Sequence, residues 1–232
     1  MNLLSHLGVM ASSLFRSNAV VWVEGITDRR YIREFLRKFF KNKKIVEFKE
    51  DINYSFVELG GGNLVHFDFS GKASEQINVK RIVGSSFVVI DGDNDGKADR
   101  IQNLKKAFTG SEYLNILDEK EIENLLPEIM VQSVVKAMLS SSMRADKESL
   151  LANVGNIKAE EYSRKGQALG RYLDETLGIA GNSYFAAASG TLKEKMRFCD
   201  IAIDLMRVEH WTLTASADRL CERIFNFIKE QN

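Results

Sequence analysis

Apolar residues come in two rhythms along this chain. Residues 19–23, AVVWV, are apolar at every position, as a strand covered on both faces of a parallel sheet requires. Residues 54–59 (YSFVEL), 86–90 (SFVVI) and 113–117 (YLNIL) read as further strands, the second of them a plainly apolar run. Elsewhere the spacing is helical. From Asp28 onward, Ile32, Phe35, Leu36 and Phe39 share one face, opposite Arg29, Arg30, Arg33, Arg37 and Lys38. Helices are also expected over 3–15, over Asp99–Phe108 and from DEKEIENLLP onward. Past residue 128 the periodicity stays helical, with loops near 153–157 and 180–191, and ends in a helix that aligns Leu220, Ile224, Phe227 and Ile228. The pattern predicts an α/β core over 18–126, preceded by a helical lead-in (1–17) and followed by a helical region (127–232).

Composition removes several function classes. The 232 residues are 44% hydrophobic and 28% charged, ordinary for a chain with a real core. Lysine plus arginine and aspartate plus glutamate each number 32, so steering toward a polyanion must come from local patches. Cys199 and Cys221 fit neither a metal pair nor a disulfide framework, which points to a reducing, cytoplasmic setting. The N-terminus lacks the basic start and long apolar core of a signal peptide, and no stretch is long enough for a membrane helix.

The apolar strands end on acids. AVVWV runs into Glu24-Gly25, and FVVI runs into Asp91-Gly92-Asp93. In open α/β sheets, ligands bind beyond the carboxyl ends of the strands. Carboxylates brought together there repel one another unless protonated or neutralised by a cation, and an all-oxygen ligand set favours Mg²⁺ or Mn²⁺ over zinc. Taken singly, Glu24 has a plainer reading as a cap or a surface residue. DGDNDG also matches the opening of a calcium-binding EF-hand loop, but the twelfth position, which needs a bidentate glutamate, is Gln102.

An apolar strand followed by EGxxD and a helix, then a later apolar strand followed by DGD, resembles the Toprim domain. LGVMASSLFRSNAVVWVEGITDRRYI, FVELGGGNLVHFDF and EIENLLP together are similar to one branch of it, the OLD (overcoming lysogenization defect) family nucleases, including Gabija-like and retron-associated anti-phage effectors. The third motif carries Leu125 where that family usually has an aromatic residue. The resemblance spans residues 7–126 and implies a mainly parallel Toprim-like sheet flanked by helices, with a C-terminal helical region. It implies metal ligation by Glu24, Asp28, Asp91, Asp93 and Glu123, with Glu121 as a further candidate. It also implies a late catalytic lysine, for which GTLKEKMRFCDIAI offers Lys195 ahead of Lys193.

The implied activity is endonucleolytic hydrolysis of nucleic-acid phosphodiesters with two Mg²⁺ or Mn²⁺ ions, DNA being the expected substrate and RNA an alternative. Glu24, Asp91, Asp93 and Lys195 would be its catalytic residues. Arg29, Arg30, Arg33, Lys97 and Arg100 are candidates for phosphate contact, although a charged helix face is more often simply solvated. OLD proteins carry an ABC-type ATPase before the Toprim region. The chain has no GxxxxGK[ST] loop, so the ATPase is expected as a separate subunit or a missing domain, and an oligomer is expected. The contrasting reading is a non-catalytic Toprim-like domain that docks an ATPase.

Overall fold

The computed structural model of the chain describes residues 17–59, 67–68, 77–78, 86–92, 113–180 and 183–232. The helices expected over 3–15 and Asp99–Phe108 lie outside the described residues, as do Asp93, Lys97 and Arg100. Two units divide the chain, one reaching to Leu117 and including Asp218–Asn232, the other formed by Asp118–Ala217.

Among the described residues, four parallel strands form the sheet of the first unit: β1 (Ala19–Val23), β2 (Tyr54–Glu58), β5 (Ser86–Ile90) and β6 (Leu114–Ile116), in the order β2-β1-β5-β6. A separate short parallel pair joins β3 (Phe67–Asp68) and β4 (Ile77–Asn78). Every residue of β1 is buried, which accounts for its unbroken apolar sequence. The fold is thus α/β with a parallel sheet and helices, as the sequence predicts.

Helix α1 (Ile26–Lys43) follows β1 and buries Ile32, Phe35, Leu36 and Phe39, the stripe read from the sequence. Its N-terminus is fixed by Asp28, whose Oδ2 accepts the Gly25 N–H at 2.7 Å, satisfying a donor the helix cannot satisfy itself. Its C-terminus closes on Lys44 in the left-handed region, at φ 55°. The last helix of the chain, Ala215–Gln231, buries Leu220, Ile224, Phe227 and Ile228. Phe227 lies 5.5 Å from the Phe87 ring on β5, and Phe225 meets Phe39, Phe40 and Phe48.

That helix also closes a sheet edge. Val88 N–H bonds to the Tyr113 carbonyl and Leu117 N–H to the Ile90 carbonyl, so alternation turns the Leu114 carbonyl away from β5. Arg223 donates to that carbonyl at 2.9 Å and to Asn115 Oδ1 at 2.5 Å, with its guanidinium 5.7 Å from the centre of the Phe87 ring. An exposed row of backbone groups invites pairing with another chain, and this contact covers part of it. Arg223→Ala is expected to cost about 1–2 kcal/mol, through the lost bonds and the lost packing of the arginine stem. Urea denaturation measures it, and an unchanged midpoint would refute the expectation.

The second unit is helical. In chain order it contains α2 (Glu128–Ser140), α3 (Lys147–Ala152), α4 (Ala159–Tyr162), α5 (Leu169–Leu177) and α6 (Lys195–Val208), so the last helix becomes α7. One expectation fails here. DEKEIENLLP does not open a helix: Ile122–Leu125 is a single 3-10 turn, and α2 starts only at Glu128. Pro127 is the reason. It forces Leu126 into extended backbone (ψ 141°) and then supplies the preset φ from which α2 starts. Among the described residues no helix is long and apolar enough to cross a membrane.

Candidate functional site

Within the first unit, β1 and β5 are hydrogen-bonded neighbours, with Val20 opposite Ser86, Val21 opposite Phe87 and Trp22 opposite Val88. Continued upward, that register sets Glu24 opposite Ile90 and Gly25 opposite Asp91. The two acids therefore leave adjacent parallel strands at the same carboxyl-terminal edge, one position out of step. Both lie beyond the last strand residue, where the pleat no longer dictates which face a side chain takes. Asp28 is 6% exposed in the first turn of α1, and one of its oxygens is occupied by the helix cap.

Arg29, a candidate for phosphate contact, is engaged within the fold. It donates to Glu50 Oε1 from Nε (2.9 Å) and Nη2 (2.6 Å), and to Glu58 Oε1 from Nη1 (3.2 Å). Arg33 stands 3.9 Å from the other oxygen of Glu50. These pairs tie α1 to β2 and to the segment before it, and a phosphate would compete with Glu50, whose side chain is 14% exposed, for Arg29 and Arg33 alike.

The second unit brings together three residues that the sequence singled out separately. Glu119 to Leu126 are all buried, an uncommon fate for a run holding three glutamates and a lysine. Glu121 and Glu123 are 1% and 0% exposed, and the Lys195 ammonium stands 3.3 Å from Glu121 Oε2 and 3.2 Å from Glu123 Oε2. Lys195 is the first residue of α6, where the helix dipole disfavours a cation. The two carboxylates offset that penalty. With Lys195 counted, the group keeps one excess negative charge.

The turn holding these carboxylates is clamped on every side. The Asn124 amide, fully buried, donates to the carbonyls of Tyr162 and Gln167 (3.0 Å to the latter). Tyr162 donates its hydroxyl to the Leu126 carbonyl at 2.7 Å, and burial pushes its phenol well above the ordinary range. Ser163 bonds to the Asn124 carbonyl and Thr214 to the Leu125 carbonyl. Neither Glu121 oxygen accepts a hydrogen bond in this arrangement, and neither does Asn124 Oδ1. Glu121 Oε1 and Asn124 Oδ1, buried oxygens that accept no hydrogen bond among the described residues, are hard donors of the kind that Mg²⁺ or Mn²⁺ takes. Among the described residues no three His, Cys, Asp or Glu side chains are already gathered closely enough to hold an ion; Asp93 is not among them.

The sequence did not disclose Asp174. Its carboxylate, on α5, is 7% exposed and accepts three backbone N–H groups, from Tyr184 (3.3 Å), Phe185 (2.8 Å) and Ala186 (3.1 Å). An acid one helical turn on from Gly170, three residues before Leu177, was the available signal. The cysteines form no disulfide: Cys199 and Cys221 are both buried, and burial raises the Cys221 thiol well above its ordinary pKa.

No family model and no curated protein matches the chain. The chain is similar to the C-terminal region of the Burkholderia pseudomallei OLD protein. That solved structure matches at 17% identity and a TM-score of 0.39, with 82% of this chain and 98% of the other covered.

Proposed function

We propose that the chain is a metal-dependent nuclease of the Toprim type found in OLD proteins, hydrolysing phosphodiesters, with DNA as the substrate. The observation that supports this most is the exit of Glu24 and Asp91 from neighbouring parallel strands at one sheet edge. Ligands of open α/β sheets bind beyond that edge, and two carboxylates leaving neighbouring strands there are placed to meet a cation.

Bound Mg²⁺ or Mn²⁺ would lower the pKa of a water molecule and stabilise the attacking and leaving oxygens. Glu24, Asp91 and Asp93 are the ligands in this reading. Asp28, which also caps its own helix, shares in it. Glu123 and Glu121 are given ligand roles as well, and Lys195 the role of offsetting charge on the phosphate. Arg30 and Arg33 are the described candidates for contact with the nucleic-acid backbone. The wider reading, from the motif resemblance alone, is a cytoplasmic anti-phage effector that works with an ABC-type ATPase.

The test is supercoiled plasmid incubated with the protein in Mn²⁺, with tRNA as a parallel substrate. Wild-type protein nicks plasmid. Glu24→Ala slows it more than about 100-fold, because even changes in groups that only support a metal ligand cost 10–100-fold. Circular dichroism of the variant stays unchanged. Undiminished cleavage by a clean Glu24→Ala preparation ends the nuclease reading, and cleavage of tRNA alone changes the substrate.

A further inference from the structure

We infer that Asp174 is a positioning residue, which sets Lys195 against Glu121 and Glu123 by holding the loop ahead of α6. The role of Lys195 in cleavage rests on the nuclease reading; its placement by Asp174 does not.

The connection runs through backbone. Asp174 grips the N–H groups of three successive residues, Tyr184, Phe185 and Ala186. The gripped segment is then tied to the strand running back toward α6. Lys193 N–H bonds to the Phe185 carbonyl at 2.7 Å, Ala187 N–H bonds to the Thr191 carbonyl at 2.8 Å, and Ala186 bridges Leu192. From Lys193 the chain goes directly into Lys195, the first residue of α6. A second tie fixes the same loop to α5, where Arg171 N–H bonds to the Gly190 carbonyl at 2.8 Å.

The chemistry demands a carboxylate at 174. Both of its oxygens only accept, which matches an array of three donors. Asparagine has nearly the same shape, but its NH₂ group replaces one of the two accepting oxygens and so stands against at least one of those donors. Asp174→Asn should therefore release the loop while leaving the volume of the core intact. Lys195, on a flexible stem at the start of a helix whose dipole opposes it, then loses its fixed position.

The experiment is a double-mutant cycle read by thermal denaturation, so that it needs no activity. In wild-type protein, Lys195→Met removes the ammonium that faces two buried carboxylates and lowers the Tm by about 3–6 °C. In Asp174→Asn the same substitution lowers the Tm by less than about 1 °C, because the ammonium no longer stands there. An equal loss in both backgrounds overturns the inference and leaves Asp174 a loop anchor only. If Asp174→Asn does not fold, Asp174→Glu, which keeps the charge but adds a methylene, carries the same cycle with the same two outcomes. In plasmid cleavage Asp174→Asn should lower kcat with KM little changed, and add nothing to the loss in Lys195→Met. A wild-type protein that cleaves nothing defeats the nuclease reading while the Tm cycle still decides the role of Asp174.

Discussion

Gly170→Ala lowers the stability of the helical unit by about 2 kcal/mol or more, although the same change in an open helix would raise it by roughly 1 kcal/mol. Gly170 lies inside α5, where alanine is the better helix former. A Cβ at this position, however, would stand 2.5 Å from the Thr191 carbonyl oxygen, 2.8 Å from that of Phe185 and 2.9 Å from the Ala186 Cα. All three are backbone atoms, so no side chain can swing aside. Asp174 pins the Phe185 and Ala186 amides from the same helix, which denies the loop an easy retreat. The steric term therefore outweighs the propensity term. Thermal or urea unfolding with circular dichroism measures the balance, and a variant as stable as wild type would show that the loop yields.

Replacing Asn124 is the second large effect. Asn124→Leu keeps the size but removes both amide donors, stripping the buried Tyr162 carbonyl and the half-buried Gln167 carbonyl of these bonds. An unsatisfied buried acceptor costs about 1–3 kcal/mol, so a total loss near 3 kcal/mol is expected. Asn124→Asp should lose more. It sets an acceptor against two acceptors and adds a third negative charge to the buried group of Glu121 and Glu123, against the single Lys195. The order wild type, Asn124→Leu, Asn124→Asp in urea midpoint is the signature; the reverse order of the two variants would mean that the side chain serves only to fill space. Both variants loosen the turn that presents the two glutamates, so cleavage should fall along the same series.

The parts of this molecule that could be read from its sequence are those with local causes. β1 and β5 stand where their apolar runs placed them, because a strand sandwiched between layers has no polar face to obscure the pattern. The stripe on α1 and the four apolar positions of α7 were equally visible, since a helix shows its buried face every three or four residues. Residues 122–125 were not. Glu119, Lys120, Glu121 and Glu123 look like the solvated first turn of a helix, and the groups that hold Asn124 and Leu125 in their turn come from Tyr162, Ser163, Gln167 and Thr214, far along the chain. Lys195 was legible only as a motif position; its two ion pairs depend on a loop held by Asp174, for which spacing gives no hint. Asp28 shows the reverse case, a candidate metal ligand that the structure also puts to a local use as the cap of its own helix.

The sheet-bearing unit is discontinuous in the chain, since Asp218–Asn232 belongs with residues before 118. On a ribosome, the intervening segment is therefore complete before the piece that covers β6 and packs on Phe87 has been made. A change within Asp218–Asn232 would therefore be felt in strands synthesised well before it, and Asn232 belongs to the same contact, its side chain donating to the Asn53 carbonyl.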